Sequence, residues 1–456
     1  MSEPRLRYAS YHLHLVNLFT EPHRATPTFW EQAALVQALD QALDLLETDP
    51  VFRHLTVVGG SAVLEDYLRL RPEHFERLEA AVRRGALLIN PFYTLPQPSA
   101  HTAEGLIRNL LRGTATAQVF GGAMPIALCL NTGFLDTYLP QVLRGFNIQA
   151  ILTNAEPYSH PLQEQLWQGA DGTQILWARI AKPHPLEESI ANVRHRLAPH
   201  NLSGHLMLPY PWSAQGVARA GVASIRQALP QDIVLHSTPM AYAKAAQATI
   251  NRENLPPYKG GYLFAEFFRG TQVFDGFWQL EGYLTECVEP LIAAAAIHGD
   301  SRLPKQPQRL VAQLWQPLFD QHAHYQHHQR QVDVAHLQSE QAAYLEMLKT
   351  LVGTLADSAP IRQAYLGEVV WADHDLFALK AAKLPDDPAR EGLIVRGSLD
   401  SAESAWVTLT PCRRFAVCEV VSLAEVPSGG KLATESDGSF RFRAEPHHYY
   451  TFWLHD

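Results

Sequence analysis

The sequence predicts an α/β fold of alternating parallel strands and helices, followed by a helical bundle and an all-β tail. Three observations carry that expectation. Strand and helix patterns alternate from Arg7 to His236, with seven candidate core strands. Between Gly261 and Asp357 the apolar residues recur only at helical spacing. From about Gly367, short β-type runs are separated by turn residues. The expected boundaries are residues 1–260, 261–360 and 361–456.

Arg7 to Val16 reads as the first strand. Thr26-Pro27 then offers a helix cap and a first-turn proline, and Trp30, Leu35, Leu39, Leu43 and Leu46 recur at helical spacing. His54 to Val58 is the second strand, ended by Gly59-Gly60, and a helical stretch closes at Arg84-Gly85. Ala86 to Tyr93 is the third strand, and Glu104 to Arg112 a helix stopped by Gly113. Pro125 to Leu130 and Gln149 to Thr153 are short apolar runs, as strands buried on both faces require. Gln174 to Ile180 reads as part of an inserted hairpin, and Gly204 to Tyr210 and Asp232 to His236 complete the seven. This order fits a parallel barrel or a strongly curved open sheet, and periodicity does not choose between them. In the helical region Phe277, Leu280, Leu284 and Val288 mark one face. Leu310, Leu314 and Leu318 mark a second, and Ala343, Leu345, Leu348 and Leu351 a third, which predicts a three-helix bundle. In the tail, Pro427-Ser-Gly-Gly430 and Ser436-Asp-Gly438 punctuate the strands.

The 456 residues suffice for two or three domains, and 46% hydrophobic content is that of a soluble globular chain. A formal charge of −9 gives no basic footprint for nucleic acid. Cys412 and Cys418 are near enough in sequence to pair across a hairpin. Free thiols in a reducing compartment are nonetheless expected for them and for the scattered Cys129 and Cys287. MSEPRLRYAS lacks the apolar core of a signal peptide, and no apolar run reaches membrane-spanning length. A cytoplasmic protein without a membrane or nucleic-acid partner is the expectation.

The stretch from Leu128 to Ile148 organises the chain. It reads as strand, loop and helix, with a second strand directly after, and the helix is expected to end at Gly145 in the left-handed conformation. The loop opening at Asn131 therefore lies at the carboxyl end of a parallel strand, where barrel-type α/β enzymes place their chemistry. Leu139-Pro140-Gln141-Val142, eight residues beyond Asn131, resembles the Leu-Pro-Gln-Ile of glycoside hydrolase family 38, the retaining α-mannosidases. Thr102-Ala-Glu104-Gly-Leu-Ile-Arg108, Gln168-Gly-Ala-Asp171-Gly172-Thr and Phe268-Arg269-Gly270-Thr271 match further family segments in order. The resemblance implies a seven-stranded α/β barrel, a three-helix bundle and a closing β-sandwich domain.

The same resemblance places zinc ligands and carboxylates that this chain lacks. The family's His-x-His-x-Asp-x-x-Trp is similar to His12-Leu13-His14-Leu15-Val16-Asn17-Leu18-Phe19, with Val16 for the Asp. Asn131 stands where the resemblance places the nucleophile, itself a zinc ligand, and Phe268 where it places a ligating His. The loop Leu208 to Gly216, which would carry the acid, has no carboxylate. His14 is thus the one retained ligand position, and zinc needs three or four good donors. A retaining glycosidase needs two carboxyl groups beside the scissile bond.

The leading expectation is a carbohydrate-binding or scaffold pseudoenzyme without cofactor, contacting sugar through His12, His14, Tyr210, Trp212, Arg269 and Asp171. A homo-oligomer or a protein partner is compatible with it. The rival is a divergent hydrolase of α-mannosides or related glycans that uses Asp136 and Glu156 as substitute carboxylates. Asp136 also suits a helix cap. Asp171-Gly172 is first a turn signature. Trp167, Trp177, Trp212, Tyr210 and Tyr158 suit either sugar stacking or a core. His322-Ala-His324-Tyr-Gln-His327-His328 places His324 and His328 on one helical face with Asp320, a solvated polar face in the simplest reading.

Overall fold

Apolar runs bounded by glycine and proline become strands at each of the seven expected places. A computed structural model describes residues 8–20, 23, 27–96, 100–130, 134–154, 162–180, 197–212, 221–250, 257–263, 274–301, 303–328, 333–356 and 366–456. The first strands are β1 (His12–Phe19), β2 (Leu55–Val57), β3 (Leu87–Ile89), β4 (Ile126–Cys129), β5 (Phe134–Leu135) and β6 (Ala150–Thr153). They are followed by β7 (Glu164–Gln168), β8 (Gln174–Arg179), β9 (His205–Trp212), β10 (Ile233–His236) and β11 (Tyr262–Leu263). The helices among them are α1 (Phe29–Thr48), α2 (Ala62–Leu70), α3 (Phe75–Arg83), α4 (Ala103–Phe120), α5 (Leu139–Gly145), α6 (Gly221–Ala228) and α7 (Pro239–Thr249).

Two largely parallel sheets result. In one, β9 pairs along all of β1, β10 pairs from His12 to Leu15, and β2 pairs at Leu18 and Phe19 and carries β3 on its far edge. In the other, β4, β6 and β8 are parallel, and β7 closes an antiparallel hairpin on β8. The expected inserted hairpin is therefore part of the core sheet. Asn90 stitches the two sheets together. Its amide donates to Val58 O at 2.9 Å and Leu128 O at 3.0 Å, and its Oδ1 accepts from Leu128 N at 3.0 Å. One apolar cluster then draws on both sheets, with Val16 and Leu18 packed among Val58, Leu88, Leu128, Leu152, Ala178 and Met207.

Helix ends depart from three local expectations. α1 is capped by Thr28, whose side chain accepts from Glu31 N while Glu31 reaches back, and Thr26 lies outside the described residues. α4 runs through Gly113, because a Cβ there would meet the Phe92 and Pro91 backbone at 2.3 Å. Its left-handed end is Gly121. α5 includes Gly145, packed on Leu423, and the left-handed residue is Asn147 at φ 59°.

The rest of the chain is helical and then β. α8 (Phe274–Tyr283) passes through a π turn, Leu284–Val288, into α9 (Glu289–Ile297). Pro290 has no N–H for the Glu286 carbonyl, and the helix widens just before it. α10 (Pro307–His328), α11 (Val334–Ala356) and the short α12 (Leu366–Val369) follow. The tail strands are β12 (Val370–Ala372), β13 (Phe377–Lys383), β14 (Leu393–Leu399), β15 (Ala405–Pro411), β16 (Val417–Val421), β17 (Pro427–Leu432), β18 (Phe440–Ala444) and β19 (Tyr449–His455). They form antiparallel sheets in the orders β12-β15-β18 and β13-β14-β19-β16-β17. Leu280, Val288, Leu318 and Leu348 of the helices share one apolar cluster with Val395, Leu409, Phe440 and Phe452 of the strands. Arg396 of β14, fully buried, reaches Glu104 of α4 at 2.7 Å and ties the tail to the parallel region. All four cysteines are free, and no helix among the described residues is long and apolar enough to cross a membrane.

Candidate functional site

The loop after β4 is framed by backbone pairing. Residues 131–133 lie outside the described residues, so Asn131 has no structural account, and neither do Glu156, Phe268 and Arg269. The flanks are described. β5 begins directly after the loop and pairs antiparallel with β11, Leu135 opposite Tyr262 and Phe134 opposite Leu263.

Asp136 and Asp171 stand in two adjoining turns. Asp136 Oδ1 accepts from Thr137 N at 2.5 Å and from Thr137 Oγ1 at 3.2 Å. Asp171 accepts from Thr173 N at 3.1 Å, and Gly172 supplies the positive φ of that turn. Ala170 N donates to Thr137 O at 3.2 Å, which joins the turns. The carboxylates are engaged in local turn bonds, as their short-range sequence signatures imply.

His12 and His14 occupy the first half of β1, and Phe19 at its carboxyl end is roughly 16 Å farther along at strand rise. His12 stacks on His205 with ring centres 4.8 Å apart. His14 Nε2 lies 2.9 Å from His205 Nδ1, and His14 Nδ1 lies 2.8 Å from Ser237 Oγ at the end of β10. Burial, then the fields of His205 and His12, push His14 down to about 4. Tyr242 of α7 meets the His14 ring edge-on and donates to Glu164 Oε1 at 3.2 Å. Burial raises the Glu164 carboxyl despite donors from Ser203 and Leu202. This is a hydrogen-bonded polar patch of stacked and bonded imidazoles. Sequence reasoning missed His205, Ser237, Tyr242 and Glu164; the β1–β9 register places His205, the β1–β10 pairing places Ser237, and Tyr242 and Glu164 come from α7 and β7.

The aromatic candidates divide. Tyr210 is half-buried, and burial raises its phenol. Trp212 is buried, donates Nε1 to Ala38 O at 3.1 Å and packs on Phe52, so its indole belongs to the core beneath α1. Trp167 and Trp177 are fully buried. Tyr158 lies outside the described residues.

A second cluster was hidden by sequence distance. His101 Nδ1 is 2.6 Å and His322 Nε2 3.2 Å from Glu281 Oε1, all three side chains fully buried. Thr102 N adds a bond to Glu281 Oε2 at 2.5 Å. Burial alone would raise the Glu281 carboxyl, but the neighbouring His101 and His322 hold it at about 2. Burial, then the field of His101, lowers His322 to about 4. Within the histidine-rich segment, His322 is buried against Glu281 and His324 is exposed, while Asp320 bonds His23. Two imidazoles and a carboxylate are zinc-type donors. Their rings, however, stack at 3.7 Å and 25°, so a cation in the plane of one lies off the plane of the other. The cluster is built as a hydrogen-bonded lock.

Residues 8–261 match the family model for the glycosyl hydrolases family 38 N-terminal domain. The chain belongs to glycosyl hydrolase family 38. Over 161 residues it is 31% identical to a protein of Halalkalibacterium halodurans named "Putative mannosylglycerate hydrolase", covering 32% of this chain and 18% of that protein. Two crystal structures from Enterococcus faecalis share the fold. An alpha-mannosidase superposes at a TM-score of 0.62 with 20% identity, covering 98% of this chain and 55% of its own. A protein in glycosyl hydrolase family 38 does so at 0.55 with 18% identity, covering 98% and 54%. The family 38 chain therefore spans about half the length of these solved relatives and a smaller share of the curated one. For the zinc that the family implies, the described positions to which the sequence resemblance assigns ligands do not fit. Val16 offers no donor and is packed in the apolar cluster, and both ring nitrogens of His14 are hydrogen-bonded.

Proposed function

We propose that this family 38 chain has lost zinc-dependent glycoside hydrolysis and serves in binding α-mannosides, mannosylglycerate among them, or in organising a partner. The environment of Val16 carries the reading. The resemblance puts a zinc-ligating Asp there, and a carboxylate among Leu128, Leu152 and Ala178 would stand in dry apolar surroundings. Asp136, offered by the rival hydrolase reading, is spent on Thr137. On this reading the two parallel sheets form the family's seven-stranded barrel, which the Asn90 seam and the shared apolar cluster support. Helices from Phe274 to Ala356 form its three-helix bundle. Tyr210, Asp171 and Arg269 are the proposed sugar contacts. A cytoplasmic site of action is supported by four unpaired cysteines.

The test is turnover of an aryl α-mannoside with and without added Zn²⁺, alongside elemental analysis of the purified chain. No metal-dependent turnover and no stoichiometric zinc are expected. About one zinc per chain that His14→Ala removes would overturn the reading.

A further inference from the structure

The sheet β12-β15-β18 hides one face and shows the other. Alternation turns Val407, Leu409, Phe440 and Phe442 into the shared core. It turns Trp406, Thr408 and Thr410 of β15 outward, with Arg441 and Arg443 of β18 and Trp371 of β12. Trp371 is 58% and Trp406 57% exposed, which is unusual for the largest apolar side chain. Register fixes their separation. Trp371 lies opposite Thr410, and Trp406 lies four residues back along β15, so the indoles stand roughly 14 Å apart at strand rise and spacing.

Between the indoles the face carries hydroxyls, guanidinium groups and the Asp373 carboxylate, with no aliphatic side chain. Thr408 and Thr410 lie between them, and Arg441 opposes Thr408 across the β15–β18 pair. The Arg441 guanidinium lies 4.9 Å from the centre of the Trp406 ring and makes no ion pair among the described residues. Arg443 bonds Ser404 and has Glu445 at 3.7 Å, and Asp373 is turned to Thr408 N. The two guanidinium groups and two carboxylates of the strip balance, and Arg441 is the cation left without an ion pair among the described residues. A protein interface centre needs contiguous apolar area. A sugar chain needs flat rings for its C–H faces and polar groups for its hydroxyls, and a carboxylate on it would meet Arg441.

We infer that this outer face, carried by Trp371, Trp406 and Arg441, is a binding platform for an acidic oligosaccharide of several residues. It stands on elements other than those around the loop after β4, and it does not depend on whether hydrolysis is lost.

The test is affinity electrophoresis of the full chain in gels holding graded sodium alginate or, as the neutral probe, galactomannan. Alginate is expected to retard the protein more than galactomannan. Trp371→Ala and Trp406→Ala each weaken the alginate effect about tenfold, the scale of one aromatic contact. Trp406→Phe keeps most of it, and Arg441→Ala removes the preference for alginate. The substituted side chains are exposed, and unchanged thermal unfolding checks the fold. Equal retardation in both gels overturns the acidic assignment. No retardation by alginate, or retardation unchanged in both Trp→Ala variants, overturns the platform. A dimer that Trp406→Ala dissociates, without alginate retardation, overturns it in favour of a second copy.

Discussion

Glu281 Oε1 lies 2.6 Å from His101 Nδ1, a contact across 180 positions of sequence that fastens α8 to the start of α4. Gly105 makes it possible, since a Cβ on that first turn would meet the Glu281 carboxylate at 2.2 Å. Gly105→Ala should therefore cost about 2 kcal/mol by overpacking, and little in a Glu281→Ala background. Glu281→Gln should cost about 3 kcal/mol, because the carboxylate charge between the buried imidazoles is lost and the amide NH2 cannot accept from Thr102 N. Urea unfolding of the four single and double variants checks both numbers. Simple additivity of Gly105→Ala and Glu281→Ala would remove the coupling.

Three buried groups, His14, His322 and Glu281, make the fold labile to acid. His14 and His322 are held down to about 4, below the ordinary 6.5. The unfolded chain therefore binds more protons than the folded one between those values. The contribution of these two imidazoles is complete above pH 6.5 and is lost as the pH drops towards 4. Glu281, held at about 2, adds a further loss from about pH 4.5 downward. Urea midpoints should fall steadily from pH 7 to 4. His14→Gln, which keeps polar contacts but does not titrate there, should flatten that slope.

His23 predicts the opposite sign. Burial would lower it, but Asp320 and Asp66, at 2.9 and 2.6 Å, raise it to about 9. Its contribution is fully present below pH 6.5 and is lost as the pH rises through 9. The stability difference between wild type and His23→Gln should be largest near pH 6 and shrink by pH 9.5. A difference independent of pH would show that the imidazole stays neutral between its two carboxylates.

Elements set by local chemistry were legible in the sequence, and contacts set by register were not. Ile126 to Cys129 and Ala150 to Thr153 are short apolar runs that have no stable home except a buried strand. Gly113 and Gly145 misled, because glycine marks close approach as well as helix ends. Their neighbours, Phe92 and Leu423, are remote in sequence. Trp212 read equally as a pocket or a core residue until Ala38 and Phe52 were placed against it. His322 needed His101 and Glu281 from two other elements, and the four-residue spacing of His324 and His328 carries no trace of that contact.

Arg396 is completely buried in β14, bonding Glu104 at 2.7 Å and Thr451 Oγ1 at 3.1 Å. Arg396→Met keeps the volume but leaves the Glu104 carboxylate short of a partner, with only Arg108 at 3.3 Å. A loss of about 3 kcal/mol in urea unfolding is expected. Adding Glu104→Gln should recover part of it, because the orphaned charge is the larger cost.

The last prediction concerns catalysis. An aryl α-mannoside should be turned over very slowly or not at all, with or without Zn²⁺. Each 1.4 kcal/mol of lost transition-state stabilisation is about tenfold in rate, and groups that act as a unit do not add simply. Asn131→Asp alone should therefore not restore activity, since Val16 and Phe268 still offer no metal donor. The environment of Val16 sharpens the test. Val16→Asp places a carboxylate among Leu128, Leu152 and Ala178, and should destabilise by roughly 3 kcal/mol unless a cation accompanies it. In the combined variant Val16→Asp, Asn131→Asp, Phe268→His, zinc uptake with recovery of stability would confirm the register of the family resemblance. Destabilisation without zinc uptake would place the family's metal position elsewhere on this strand. Clear turnover by the unmodified chain, abolished by Asp136→Asn or Glu156→Gln, would establish the divergent hydrolase instead.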